Sequence, residues 1–298
     1  MNTKRIIFAG LFLISGLTIA SAQVKLSFNP EKGKKYEYQT EMIQNIKQNV
    51  MGQEVPMETE MNVTYLMEIM DKTPQETKVQ CTYREVVFIL SGPMMKMGYD
   101  SKNPAENPSD MDKMLGNMFG ALIGKPFIAV VAPDGSVKSV TGMDAIIEGM
   151  GSAAGGGQIA AQMGAQLKQQ FSDAAMKNMF EQSFKIYPAN AVKVGDSWNS
   201  ELTMSNINSN IKSRYTLKEV SRNTATIAVE SDIEMEMGTG MEGKLTGTQT
   251  GTMVVDTKTG MSISGETTQN IKGDVKAQGF DVKMEMVTKS KTSIKEVK

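Results

Sequence analysis

Methionine is the residue type whose number and spacing most suggest chemistry in this sequence. There are 26, and they recur in close groups at Met94-Met95-Lys96-Met97, at Met235 with Met237, and at Met284 with Met286. On a strand, M-x-M places both thioethers on one face, and soft thioethers select Cu(I), so a copper-handling site is the sharp hypothesis. The competing reading is that flexible, polarisable methionine fills an irregular core or lines an adaptable apolar groove. Methionine also stands where leucine would be expected along the helical stretch described below, as general apolar bulk would, so filler or groove outweighs copper and no metal site is assigned.

The other reactive residue types exclude more than they offer. There is no histidine, which removes Ser-His-Asp and Cys-His nucleophilic sites, the usual zinc ligand sets and imidazole proton transfer. Cys81 is the only cysteine; it alternates with Val79 and Tyr83 in a strand pattern, has no general base beside it, and reads as an inert core residue. Gly238-Thr239-Gly240-Met241-Glu242-Gly243 carries the letters of a dinucleotide-binding loop. It leads into threonine-rich strand instead of a helix N-terminus, and so reads as a hairpin loop. Asp110 and Asp112, near Glu106, follow Ser109 and read as a helix N-cap with first-turn charges, not as a cation site. No catalytic residue and no cofactor is assigned, and the chain reads as a non-enzyme.

One stretch, Gly142 to Tyr187, has helical periodicity. Ile159, Met163, Leu167 and Phe171 recur every four residues, and Met176, Met179, Phe180 and Phe184 follow one helix face. Ser172 is a suitable N-cap and Asp173 suits the first turn. The spacing predicts helices over roughly 158–171 and 173–185, ended by Pro188, and a short helix over 143–150. A lead from Gly149 to Gly157, with three consecutive glycines, predicts a hinge.

The flanking halves alternate with a period of two. Met57, Thr59, Met61, Val63, Tyr65, Met67 and Ile69 share one face, as do Ala225, Ile227, Val229, Ile233, Met235 and Met237, and Val282, Met284 and Met286. These predict long half-buried antiparallel strands. Turn residues separate them at Met51-Gly52-Gln53, Asp71-Lys72-Thr73-Pro74, Pro133-Asp134-Gly135, Ser221-Arg222-Asn223, Thr259-Gly260 and Gln278-Gly279. The halves also resemble each other. Gly33-Lys34-Lys35-Tyr36 with Met42 matches Gly195-Asp196-Ser197-Trp198 with Met204 at the same spacing, and Tyr99-Asp100-Ser101-Lys102 resembles Val255-Asp256-Thr257-Lys258. A duplicated β unit is the expectation.

At the start of the chain Lys4 and Arg5, an apolar run from Ile6 to Ala20 and Ala20-Ser21-Ala22 have the form of a secretory signal peptide cut before Gln23. The run is short for a membrane span and no second one follows, so the mature chain is not expected to cross a membrane. Aromatic residues are 6% of the chain, too few for the girdles of an outer-membrane barrel. Near-neutral charge, with Arg84, Arg214 and Arg222 the only arginines beyond Arg5, argues against nucleic acid and against bidentate phosphate clamps.

Phe171 to Phe184, Tyr187-Pro188, Val192-Lys193-Val194-Gly195-Asp196-Ser197-Trp198, Pro133-Asp134-Gly135-Ser136-Val137 and Val140-Thr141-Gly142-Met143-Asp144 together resemble an uncharacterised family of exported, β-rich bacterial envelope proteins. The resemblance implies an exported β fold and brings no activity or catalytic residue with it.

The expected fold is mainly β: two related antiparallel meander sheets, an open barrel or sandwich, with an amphipathic helical insertion covering an apolar concave face. The expected organisation is a signal peptide at 1–22, a first β half at 23–141, a helical insertion with its Gly-rich hinge at 142–187 and a second β half at 188–298. The expected function is an exported, non-catalytic binding module of the periplasm or cell surface. It would hold an apolar ligand, a lipid or acyl chain, between sheet and helices, with Met61, Met67, Met235, Met237, Phe180 and Phe184 as candidate lining. The alternative is a structural or protein-interaction component of the cell envelope, and Met-based Cu(I) binding ranks behind both.

Overall fold

A computed structural model of the chain describes residues 23–93, 95–153, 165, 168, 171–204, 208–237, 241–277 and 279–297. The expected signal peptide, most of the expected helix over 158–171 and the triple glycine at 155–157 lie outside the described residues.

The strands are β1 (Lys35–Val50), β2 (Gln53–Lys72), β3 (Thr77–Gly92), β4 (Met95–Asp100), β5 (Pro126–Val131), β6 (Val137–Thr141), β7 (Ser197–Met204), β8 (Ser209–Val220), β9 (Thr224–Met237), β10 (Met241–Asp256), β11 (Ser262–Ala277) and β12 (Phe280–Val297). The helices are α1 (Asp110–Leu122), α2 (Met143–Ala153) and α3 (Asp173–Phe184). All strand pairs are antiparallel, and the strands form one sheet in the order β6-β5-β3-β2-β1-β12-β11-β10-β9-β8-β7, with β4 also on β3. The two meanders read from the sequence are therefore halves of one continuous sheet. β12 joins them, pairing along its length with β1 on one side and β11 on the other. The sheet is open, with β6 and β7 at its ends.

The strand faces follow the sequence alternation. In β9, Ala225, Ile227, Val229 and Ile233 are buried while Glu230, Asp232, Glu234 and Glu236 are exposed. Curvature comes from β10 and β11. Gly247 and Gly251 occupy inward positions of β10, and a Cβ there would lie 2.1 Å from the Asn270 carbonyl oxygen and 2.2 Å from that of Glu266. Only residues without a side chain let these strands coil so closely.

Corresponding points of the two meanders are built alike. The Gly33 N–H donates to the Ile69 carbonyl and the Ile69 N–H to the Lys34 carbonyl, at 2.8 and 2.9 Å; Gly195, Leu217 and Asp196 repeat this at 2.8 and 3.0 Å. Both glycines have positive φ, 81° and 94°. A bulge follows Ile69 in its pairing with β3 and another follows Leu217 in its pairing with β9. The turns beyond are closed by Thr73 N–H to the Glu76 carbonyl and Ser221 N–H to the Thr224 carbonyl. Bulges recur at Val130/Val131 and Val254/Val255. The likeness of Tyr99–Lys102 to Val255–Lys258 has another origin. β4 is a short strand off the main path, whereas β10 is central. What they share is an aspartate turn: Asp100 accepts from the backbone N–H groups of Lys102 and Asn103, Asp256 from those of Lys258 and Thr259.

The helices lie over the first half. α1 begins with the expected cap at Ser109, whose hydroxyl accepts from the Asp112 N–H while the Asp112 carboxylate accepts from the Ser109 N–H at 2.9 Å. Asp112 also accepts from Gly98 N–H at 2.8 Å, tying α1 to β4. Ser109→Ala is expected to cost about 1 kcal/mol in urea unfolding. The hydrogen bonds from Gly98 and Ser109 hold the Asp112 carboxyl below its usual value. Its contribution is thus complete above about pH 4 and is lost as the pH falls through the lowered value. The stability difference between wild type and Asp112→Asn should shrink on acid titration below that pH.

α2 continues past its expected end at 150 through Gly151 to Ala153, so the glycine lead begins as helix. Met150 is buried and the Ser152 hydroxyl donates to the Glu148 carbonyl, which hold this turn. The N-termini of α2 and α3 are tied together: Met143 N–H donates to the Asp173 carboxylate and Asp173 N–H to that of Asp144. α3, capped by Ser172 as expected, buries Met176 and Phe180 in the core of the first half.

Candidate functional site

The concave face of the sheet carries three zones. At one end the first half and α1–α3 enclose a large core around Phe127, Met67 and Phe180, and beside it Leu26, Ile186, Leu217 and Ile227 form a second cluster. At the far end Met204, Ile211, Ile233, Leu245, Val275, Val282 and Met284 pack together, with no helix among the described residues contributing to the cluster. Between them the strand register sets one polar residue on each of eight neighbouring strands: Ser200, Ser213, Ser231, Gln249, Gln269, Thr288, Gln44 and Thr59, from β7 round to β2. Hydrogen bonds join six of them in pairs, Ser213 to Ser231 at 2.9 Å, Gln269 to Gln249 at 2.9 Å and Gln44 to Thr288 at 3.2 Å. Such pairing is what buried polar groups require.

A cavity of about 180 Å³ lies between this belt, the end of α3 and the tyrosine-rich end of the sheet. Tyr38 from β1, Tyr65 and Met67 from β2, Phe184 from α3, Tyr187, and Tyr215 from β8 form much of its apolar wall; Ser213, Gln249, Ser290 and Thr292 supply polar atoms. Tyr38 and Tyr65 are a cross-strand pair, stacked at 4.6 Å between centroids. From Tyr65 the aromatic contacts run through Tyr83, Phe127 and Phe180 to Phe184, each step between 5.6 and 6.1 Å. This series fixes α3 against the sheet. The segment after α3 is pinned by the Tyr187 hydroxyl donating to the Gly260 carbonyl at 2.8 Å and the Trp198 indole N–H donating to the Ile186 carbonyl at 2.9 Å.

Burial pushes the phenols of Tyr38, Tyr65, Tyr187 and Tyr215 up from their usual value, so all four stay protonated and neutral at physiological pH. The inward positions of β1 from Tyr36 to Val50, of β2 from Gln53 to Ile69, and of β7–β11 carry no charged residue, nor do those of β12 from Phe280 to Ile294. The wall can therefore offer hydrogen bonds and apolar contact without a fixed charge.

Of the six candidate lining residues, the structure brings Met67 and Phe184 to the cavity. Phe180 lies behind Phe184 in the core, edge-on to Phe127. Met61 faces inward on β2, between Met42 and Phe88, away from the cavity wall. Met235 and Met237 sit beyond the polar belt in the far cluster, beside Leu245, Val275 and Val282. The sequence reading missed Tyr38, Tyr65, Tyr187, Tyr215 and Gln249. The available signal was the alternation of Tyr36, Tyr38, Met42 and Ile46 in β1, which the inward Thr40, Gln44 and Gln48 of the same face blur.

The remaining motifs settle as follows. Cys81 is fully buried and unpaired, and burial pushes its thiol up. Gly238–Gly240 lie outside the described residues, but Met237 and Met241 end and begin the antiparallel strands β9 and β10. Among the described residues no group of three or more His, Cys, Asp or Glu comes together as a metal site.

No curated protein matches the chain in sequence. Among solved structures it is similar to one titled for lipid–protein interactions in lipovitellin, at 9% identity and a TM-score of 0.51, over 89% of this chain and 25% of that one. The chain thus spans a quarter of the length of that protein, and the likeness is one of fold. An outer membrane channel from Pseudomonas putida F1 aligns over 90% of this chain and 98% of its own at 7% identity, with a TM-score of 0.25. The translocator domain of the autotransporter NalP from Neisseria meningitidis covers 88% of each chain at 6% identity, with a TM-score of 0.23. Neither of these two scores establishes a common fold. Residues 74–262, well over half of the chain, match a sequence family described as a family of unknown function (DUF6263), and the chain belongs to that family.

Proposed function

We propose that this chain is an exported, non-catalytic binding module that holds the apolar end of a lipid or acyl chain between α3 and the concave face of the sheet. The observation that carries the reading is the cavity of about 180 Å³ walled by Tyr38, Tyr65, Met67, Phe184 and Tyr215. Its size is near that of an apolar cavity of about 150 Å³ that admits benzene and below the roughly 300 Å³ at which whole drug-sized ligands are housed. A chain end fits these dimensions; a whole lipid does not. The fold likeness to lipovitellin, whose structure is titled for its lipid–protein interactions, is in keeping with a ligand of this kind.

Export to the periplasm or cell surface is the reading supported by the residues before Gln23. Outward positions such as Glu37, Glu41 and Lys47 of β1 suit water and not a lipid bilayer, and no described helix is long and apolar enough to cross a membrane. The recurring bulges and turns support a framework made by duplication of one five-stranded unit, β1-β2-β3-β5-β6 answering to β7-β8-β9-β10-β11.

The test is solvent extraction and mass spectrometry of the protein purified from its native cells without detergent, together with titration of short acyl probes. An acyl-bearing molecule near one equivalent, or saturable probe binding that Met67→Trp abolishes, is the expected result. A ligand-free protein that binds no probe overturns the reading in favour of an envelope scaffold, with β7, an end strand of the sheet among the described residues, as its natural contact.

A further inference from the structure

The chemistry of the concave wall allows the ligand class to be narrowed, on the basis of the binding reading above. Two features coincide at the cavity. The first is the polar belt, whose members are all hydroxyls and amides; Gln249 and Ser213 of the belt also line the cavity, as do Ser290 and Thr292 one and two rows away. Gln249 accepts from Gln269 through its carbonyl oxygen, which leaves its two amide N–H donors available to the cavity. The second is the lack of charge on the wall: Lys, Asp and Glu of these strands beside the belt sit on the convex face, as in Lys212, Glu230, Asp232 and Lys272, whose inward neighbours are Ser213, Ser231 and Ile271, and β12 carries no inward charge from Phe280 to Ile294. A ligand carboxylate or phosphate drawn to the belt would lose its water and, among the described residues, find no cation in the cavity lining, which is strongly unfavourable. A hydroxyl, ester or amide would find donors and acceptors already in place.

We infer that the cavity selects a neutral amphiphile, with its uncharged hydroxyl, ester or amide group at the belt around Gln249 and Ser213 and its apolar end against Tyr38, Tyr65 and Phe184. Fatty-acid carboxylates, lipid phosphates and alkylammonium ions are discriminated against. Ligand charge is excluded by the wall itself and not by a gate.

The test compares three probes with the same eight-carbon chain, monooctanoylglycerol, octanoate and octylammonium, by isothermal titration calorimetry on the full mature chain at pH 7 and low salt. The expected result is that monooctanoylglycerol binds at least about tenfold more tightly than either ion, and that Gln249→Leu, checked for native circular dichroism, weakens it about fivefold or more. Gln249→Glu should make octylammonium bind more tightly than octanoate. If octanoate binds as tightly as monooctanoylglycerol, or if Gln249→Leu leaves neutral binding unchanged, the inference fails while the binding module stands. If none of the three binds, the binding reading itself fails.

Discussion

Gly247→Val is expected to lower stability by about 3 kcal/mol or to prevent folding. Gly247 faces the concave side of β10, opposite Ile271 of β11, and a Cβ there would stand 2.1 Å from the Asn270 carbonyl oxygen and 2.7 Å from the Ile271 Cα. Both are backbone atoms of the paired strand, so no rotamer change relieves the overlap. The strands would have to uncoil, and the sheet would lose the curvature that brings β8 opposite β1 and β12 around the cavity. Gly251→Ala should behave similarly, since its Cβ would lie 2.2 Å from the Glu266 carbonyl oxygen. Thr248→Ala, on the exposed face of the same strand, should stay within about 0.5 kcal/mol. Urea unfolding followed by far-ultraviolet circular dichroism makes the comparison. A Gly247→Val protein with the wild-type midpoint would show that β10 and β11 do not approach this closely.

Phe127→Ala is expected to cost about 3–5 kcal/mol. Phe127 on β5 is 1% exposed and lies between Tyr83, at 5.7 Å, and Phe180 of α3, at 5.6 Å. Its removal leaves a void at the point where α3 meets the sheet, and α3 carries Phe184, part of the cavity wall. Amide exchange in α3 should therefore quicken by more than the global loss explains, and acyl-probe binding should weaken along with stability. Phe127→Leu, which keeps most of the volume, should recover most of both. Equal protection of α3 in wild type and Phe127→Ala would show that the helix is held by other contacts.

Much of the architecture follows from local sequence. The alternation from Ala225 to Met237 has the period of a strand and β9 has that pattern of burial, because a one-residue shift in register would turn every side chain to the wrong face. The Ser109 and Ser172 caps are equally local, each decided by a hydroxyl within reach of a backbone N–H three residues on. Turn chemistry was legible at Met51-Gly52 and Asp134-Gly135, where positive φ at Met51, Gly52 and Gly135 meets short polar connections. The same locality explains where likeness misled: Asp100–Lys102 and Asp256–Lys258 make the same turn in different places, because an aspartate turn needs only three or four residues and no particular neighbour strand.

The site depended on information that no segment contains. Serines, glutamines and threonines spaced along eight strands look like dilute polarity in each strand, and even weaken its alternation. Only the register of β7 through β12 to β1 and β2 turns them into one belt. That β12 would join both meanders, that Met235 and Met237 would fall beyond the belt and Met67 before it, and that tyrosines from β1, β2 and β8 would share one cavity were all settled by long-range pairing and coiling. Composition and periodicity determined that the strands are half-buried and that their inward faces are uncharged; the tertiary fold alone decided which of those faces meet and what space they leave.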